Sequence, residues 1–234
     1  MTEHTSKQYD QDLEAIRTRT LQMGGLVESQ IRDAVQGYLD GNLATIEDVI
    51  ANDAKVNDLE LAIDDDLRHV IVRRQPAATD LRLIMAVSKT VTDLERIGDE
   101  AAKIARMAKE IHTGAAKLTR PRLATMNHVS EISCGMLRKA LDAFARLDAA
   151  AAARVIGEDA AIDTEFRAIL RQLVTFMMED PRTISNSLHI VWVAKAFERI
   201  GDHAKNIAEQ VIYIVKGRDV RHTPLEEVER EAAR

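Results

Sequence analysis

The chain spells Glu-Arg-Ile-Gly-Asp twice, at 95–99 and at 198–202. The match continues through Ala101, Ile104 and Ala105 to Ala204, Ile207 and Ala208 at one offset of 103 residues. Upstream, Asp53, Val56, Asn57, Ile63 and Leu67 align with Asp159, Ile162, Asp163, Ile169 and Leu173 at an offset of 106. Leu26, Ile31, Ala34, Val35 and Tyr38 align with Ile132, Leu137, Ala140, Leu141 and Phe144 at the same 106. A repeat of nearly half the chain length means one structural unit used twice. The change of offset places a three-residue shortening in the second copy, at the counterpart of the stretch between Arg74 and Asp80, which marks a loop. Each unit then has three segments.

The segments read as helices. All four prolines fall at breaks: Pro76 and Pro181 between the second and third segments of their units, Pro121 after the junction between units, and Pro224 at the start of the tail. Proline is about 3 kcal/mol unfavourable inside a helix, so confining it to junctions leaves helices between them. Apolar residues recur at helical spacing, as in Leu94, Ile97, Ala101, Ile104 and Ala108. The expected fold is all-α: six helices forming two pseudo-symmetric three-helix bundles, residues 1–115 and 116–234, the second with a C-terminal tail. With aromatics at 3% of residues, packing relies on aliphatic side chains. Trp192, Phe197 and Tyr213 on the sixth segment read as core or as filling between the bundles.

Several classes are excluded or disfavoured. No apolar run approaches the roughly 18–20 residues of a spanning helix, and the N-terminus is polar. The single Cys134 allows no internal disulfide and suits the cytoplasm; its apolar setting reads as a small buried hydrophobe. A net charge of −6 argues against nucleic acid as a partner.

The repeated motif carries two unfavourable terms. Carboxylates four residues apart on a helix repel by roughly 0.2–0.5 kcal/mol, and an interior glycine is about 1 kcal/mol worse than alanine. Packing alone has no need to copy both, so the pattern reads as a binding unit, with close helix packing at Gly98 and Gly201 as the alternative. Counting about 100° per residue from Ile97 puts Glu95 and Asp99 opposite the core stripe, and Glu198 and Asp202 likewise, so all four are expected to face outward. On the second segments Asp53, Asn57, Glu60 and Asp64 gather at one edge of the core stripe, as do Asp159 and Asp163. Converging carboxylates from two helices suit hard cations such as Mg²⁺ or Ca²⁺, with manganese or iron also accommodated. A solvated acidic face is the plain alternative.

Further motifs are Met23-Gly24-Gly25, Arg74-Gln75-Pro76, Asp80-Leu81-Arg82, Phe144-Ala145-Arg146, Met178-Glu179-Asp180 with Arg182-Thr183, and Val215-Lys216-Gly217. Together with the paired Glu-Arg-Ile-Gly-Asp segments they make residues 8–222 resemble the PhoU family of phosphate-transport regulators. The resemblance implies two three-helix bundles, each with an E(D)xxxD motif at which some members bind multinuclear metal clusters. It further implies a non-enzymatic cytoplasmic repressor of the phosphate-starvation response that binds a phosphate-sensing histidine kinase and the ATPase subunit of the phosphate transporter. Contact with membranes would run only through those complexes, and a homodimer is expected. Candidate ligands are Glu95, Asp99, Glu198, Asp202, Asp159, Asp163, Asp53 and Asn57, for a divalent or trivalent ion such as magnesium, manganese, iron or zinc.

Two departures separate the copies. Glu100 in the first is His203 in the second, off the carboxylate stripe, and Arg106 stands where the second has Glu209. The first site is therefore expected to be the less negative and weaker one. A di-metal oxidase would need inward Glu-x-x-His pairs, which the sequence lacks, and neither a phosphate-cradling glycine loop nor an activated nucleophile is visible. A passive helical scaffold stays open.

Overall fold

The breaks among the described residues have local causes. In the computed structural model, which describes residues 7–114 and 120–234, the elements are α1 (Lys7–Asp40), α2 (Leu43–Arg74), α3 (Ala78–Thr113), α4 (Arg120–Arg146), α5 (Ala149–Glu179), α6 (Ile184–Lys216) and α7 (Leu225–Ala233). Among the described residues there is no strand. Asn42 caps α2 by accepting from the Ala44 and Thr45 N–H groups, and Asp148 caps α5 by accepting from Ala151 N at 2.9 Å. Gln75 closes α2 in the left-handed region just before Pro76. Pro181 opens a 3₁₀ turn, Pro181–Thr183, and Pro121 sits in the first turn of α4, where its missing N–H removes no helical bond. Gly217 ends α6 at a φ of 71°, a conformation that favours glycine.

Helices α1, α2 and α3 pack on one another, as do α4, α5 and α6, and the two units join chiefly along α3 and α6. The expected pair of three-helix bundles is the observed fold. One hydrophobic cluster runs through both units rather than two separate cores. Equivalent positions share their burial: Leu94 and Phe197, Ile97 and Ile200, Ala101 and Ala204, Ile104 and Ile207 are all buried. The boundary read between residues 115 and 116 lies outside the described residues.

Three features differ from the sequence reading. The tail forms a seventh helix, amphipathic, with Val228 and Ala232 buried. Trp192 is 51% exposed, beneath the Lys103 ammonium at 5.3 Å from its ring centroid, whereas Phe197 alone of the three aromatics is fully buried. The repeated glycines are packing devices. A Cβ on Gly201 would lie 2.5 Å from Ile162 Cδ1, and one on Gly98 would lie 3.2 Å from Val56 Cγ1, so each lets the unit's second helix lie close upon its third. That close approach offsets the helical penalty that had suggested a binding role.

The joint between units is polar at its rim. Asp93 on α3 accepts from Asn206 Nδ2 at 3.0 Å and pairs with His203 Nδ1 at 2.8 Å. Buried Glu100 meets Arg199 at 3.0 Å and Lys103 at 3.3 Å. The pair of positions at which the repeat departs, Glu100 and His203, is thus spent on holding the units together.

Candidate functional site: two acidic faces

Gly98 and Gly201 determine where the motif carboxylates end up. Because α2 rides over Gly98, the Glu95 side chain is only 17% exposed, while Asp99, one turn on, is 41% exposed. In the second unit Glu198 is 13% exposed and Asp202 is open to solvent. The outward orientation expected for all four therefore holds for the aspartates and fails for the glutamates. A single buried stripe does not describe α3 and α6: each is packed by at least three other helices, and its second flank is covered by α2 or α5.

In the first unit the carboxylates of two helices influence one another electrostatically. Burial raises the Glu95 carboxyl above its usual value, and Asp99 and Asp53 raise it further against the opposing pull of Arg96. Glu60 is raised by burial and then by Glu95, Asp64 and Asp99. These couplings place Asp53, Glu60, Asp64, Glu95 and Asp99 in one electrostatic neighbourhood. Arg96 lies 3.5 Å from Glu95 and 3.7 Å from Asp99, and is itself mostly exposed. Beneath the cluster Gln30 donates to Asp53 Oδ1 at 3.3 Å and to Val49 O at 3.4 Å, linking α1 to the acidic edge of α2. Asn57 is exposed on α2.

The second unit repeats Asp53, Glu95 and Asp99 as Asp159, Glu198 and Asp202, has Phe166 and Leu170 in place of Glu60 and Asp64, and adds cations. Lys195 Nζ is 2.5 Å from Glu198, and Lys205 Nζ is 2.7 Å from Asp159. Asp163 reaches Arg167 at 3.6 Å. Asp202 is raised by desolvation, then by Glu198 and Asp159, with Lys195 and Lys205 pulling the other way. At the offset of 103 the two lysines correspond to Thr92 and Ala102, which carry no charge. Glu209, expected to make the second site the more negative, is instead 8% exposed. It borders a cavity of about 480 Å³ between α5, α6 and the tail that Arg221, His222 and Leu225 also line. Burial raises its carboxyl. The charge balance thus runs opposite to expectation: the first face is the more negative. Lys195 and Lys205 lie outside the repeated pattern; their spacing, three before Glu198 and three after Asp202, is the signal the sequence carries for them.

Among the described residues, no group of three or more His, Cys, Asp or Glu side chains stands ready to hold a metal ion. The donor chemistry on the first face nevertheless suits one. Glu60 and Glu95, raised first by burial and then by neighbouring carboxylates, belong to an all-oxygen set of the kind a hard cation takes.

The fold and faces define a class: a helical-repeat protein with acidic faces on two pseudo-equivalent units and, among the described residues, no helix long and apolar enough to cross a membrane. The PhoU domain model matches residues 20–108 and 126–211. A phosphate-specific transport system accessory protein PhoU homolog of Pseudomonas aeruginosa is 47% identical over 99% of this chain and 95% of its own length. The phosphate-specific transport system accessory protein PhoU of Escherichia coli K12 is 42% identical over 98% of this chain and 94% of its own. The crystal structure of PhoU from P. aeruginosa superposes with a TM-score of 0.86 at 46% identity, covering 90% of this chain and all of that one. The chain belongs to the PhoU family, and its relatives' names support a role in the regulation of phosphate transport.

Proposed function

We propose that this chain is a cytoplasmic, non-enzymatic negative regulator of the phosphate-starvation response and a modulator of high-affinity phosphate uptake. It acts by binding two partners, a phosphate-sensing histidine kinase and the ATPase subunit of the phosphate transporter, so that its output is affinity rather than turnover. The observation that carries this reading is the near end-to-end similarity to transport accessory proteins. Its acidic faces supply a physical means, since exposed carboxylates steer association with basic patches and lose that attraction as salt screens it.

Within this reading the first face holds a divalent or trivalent cation such as magnesium, manganese, iron or zinc, through Glu95 and Asp99 with Asp53 and Glu60. A bound ion would supply positive charge that turns a repulsive cluster into a rigid docking feature. Glu198, Asp202, Asp159 and Asp163 form the weaker counterpart, because Lys195 and Lys205 already neutralise them.

Deleting the gene tests the regulatory part. Phosphate-starvation genes should then be expressed in phosphate-rich medium, and pull-down from low-salt extract should recover the kinase or the ATPase. Genes that stay repressed, with neither partner recovered, would leave a passive scaffold in its place.

A further inference from the structure

Glu209 belongs neither to the repeated motif nor to the joint between units. The first unit has Arg106 at that position, exposed on α3. Glu209 is more than nine-tenths buried, yet its carboxylate makes no hydrogen bond or ion pair among the described residues. It feels Lys205, Asp219, Arg221 and His222 only through space. The two cations nearest in kind are already committed: Lys205 donates to Asp159 at 2.7 Å, and Arg221 Nε donates to Asp219 at 3.0 Å. A carboxylate taken out of water without a partner is costly, and buried polar groups are as a rule satisfied.

There is room beside it for a partner. The cavity of about 480 Å³ that Glu209 borders lies in the size range of small-molecule sites. The tail forms one wall and is firmly seated, with Val228 buried and Arg218 bridging to Glu227 at 3.0 Å and to Glu231 at 2.8 Å. The lining is of two kinds. Ile156, Leu225 and Val228 are apolar, whereas Glu209 on α6 and Asp163 on α5 are acidic. Asp163 has only the exposed Arg167 at 3.6 Å, a loose surface pair.

We propose that this cavity binds an aliphatic diamine or polyamine, with one ammonium on Glu209, a second at Asp163, and the hydrocarbon stem along Ile156, Leu225 and Val228. An ammonium brings three N–H donors to a carboxylate whose lone pairs are free. With Lys205 and Arg221 held by Asp159 and Asp219, the charge left in the cavity is negative, which disfavours an anion such as free phosphate. A bare divalent ion also fits poorly, because it takes six or more oxygen ligands and much of this wall is hydrocarbon.

This inference goes beyond the regulatory reading and does not depend on it. Its test uses the purified full-length protein, metal-free, at physiological salt. Calorimetric titration with putrescine should show saturable binding, and putrescine should raise the melting temperature, since a ligand held by the native state stabilises it. Glu209→Gln should weaken that binding at least tenfold, while the ligand-free variant melts no lower than wild type. If Glu209→Gln unfolds, Ala160→Trp decides, because this exposed position on the cavity wall can fill the space without entering the core. Butylamine, with a single ammonium, should bind at least tenfold more weakly than putrescine. Absence of binding, binding indifferent to both variants, or equal affinity for butylamine would overturn the proposal. So would binding lost in Asp99→Asn and kept in Glu209→Gln, which would assign the amine to the first acidic face. Magnesium chloride that displaces putrescine at equal concentration would also overturn it, returning the cavity to the cation chemistry of Asp159 and Asp163.

Discussion

Around Glu95 and Asp99 the carboxylates of α2 and α3 crowd one another, with Arg96 at 3.5 Å and 3.7 Å from the motif pair. Around Glu198 and Asp202 the same carboxylate pattern contains Lys195 and Lys205, each in direct contact with an acidic partner. The two faces were built by one duplicated motif and differ in two added lysines and in Phe166 and Leu170, which stand where the first has Glu60 and Asp64. What the difference teaches is that a repeated ligand pattern does not guarantee a repeated site. Ammonium groups within hydrogen-bond reach of the ligands compete with any incoming cation and hold the carboxylates apart from one another.

The largest expected effect comes from making the second face resemble the first. Lys195→Thr combined with Lys205→Ala installs the residues of positions 92 and 102, and should raise divalent-cation affinity at the second face roughly ten- to hundredfold, since each removed charge stood in contact with a ligand. The reverse change, Thr92→Lys on the exposed side of α3, should lower affinity at the first face by a similar factor. Equilibrium dialysis of both variants measures this directly, and an unchanged binding curve in either would break the comparison.

The packing beneath the faces gives the next effect. Gly201→Val should destabilise the fold by about 2 kcal/mol, because its Cβ meets the buried Ile162 side chain at 2.5 Å and overpacking of that kind strains the core. Gly98→Val should be the milder change, its nearest contact being 3.2 Å. Denaturant titration of the two variants orders them, and a reversed order would remove the glycines from the account of how the glutamates come to be buried.

A smaller effect distinguishes the faces by pH. The Glu95 carboxyl is raised in the folded state above its ordinary 4.5. Its ionisation therefore opposes folding at neutral pH, and this opposition fades as pH falls through the raised value and is gone below 4.5. Metal-free Glu95→Gln should accordingly be more stable than wild type at pH 7 by under about 1 kcal/mol, with the gap closing toward pH 4. Thermal melts across that window read the difference; a gap that widens on acidification would contradict the crowding.

Much of this was legible in the sequence. The offsets of 103 and 106 gave the duplication, the prolines gave the breaks, and the identical motifs gave the right elements for the faces. The orientation of Glu95 and Glu198 was not legible, because helical-wheel reasoning ranks positions on one helix and says nothing of how far a neighbouring helix overlaps its flank. That overlap depends on Gly98 and Gly201 meeting Val56 and Ile162, contacts between segments some forty residues apart. The roles of Lys195 and Lys205 were hidden for a related reason. A lysine three residues from a glutamate reads as a solvated helix pair until the packing shows that Glu198 is nearly buried. Residues Glu100 and His203 looked like a variation in the site and belong to the joint between units.

The most direct test of the central claim is a metal titration, by calorimetry, of chelator-treated protein alongside Asp99→Asn and Asp202→Asn. The account predicts that wild type binds cation first, and more tightly, at the face around Glu95. Asp99→Asn should then abolish the high-affinity phase, and Asp202→Asn should leave it intact. Loss of that phase in Asp202→Asn with retention in Asp99→Asn would contradict the account and return the tighter site to the second unit.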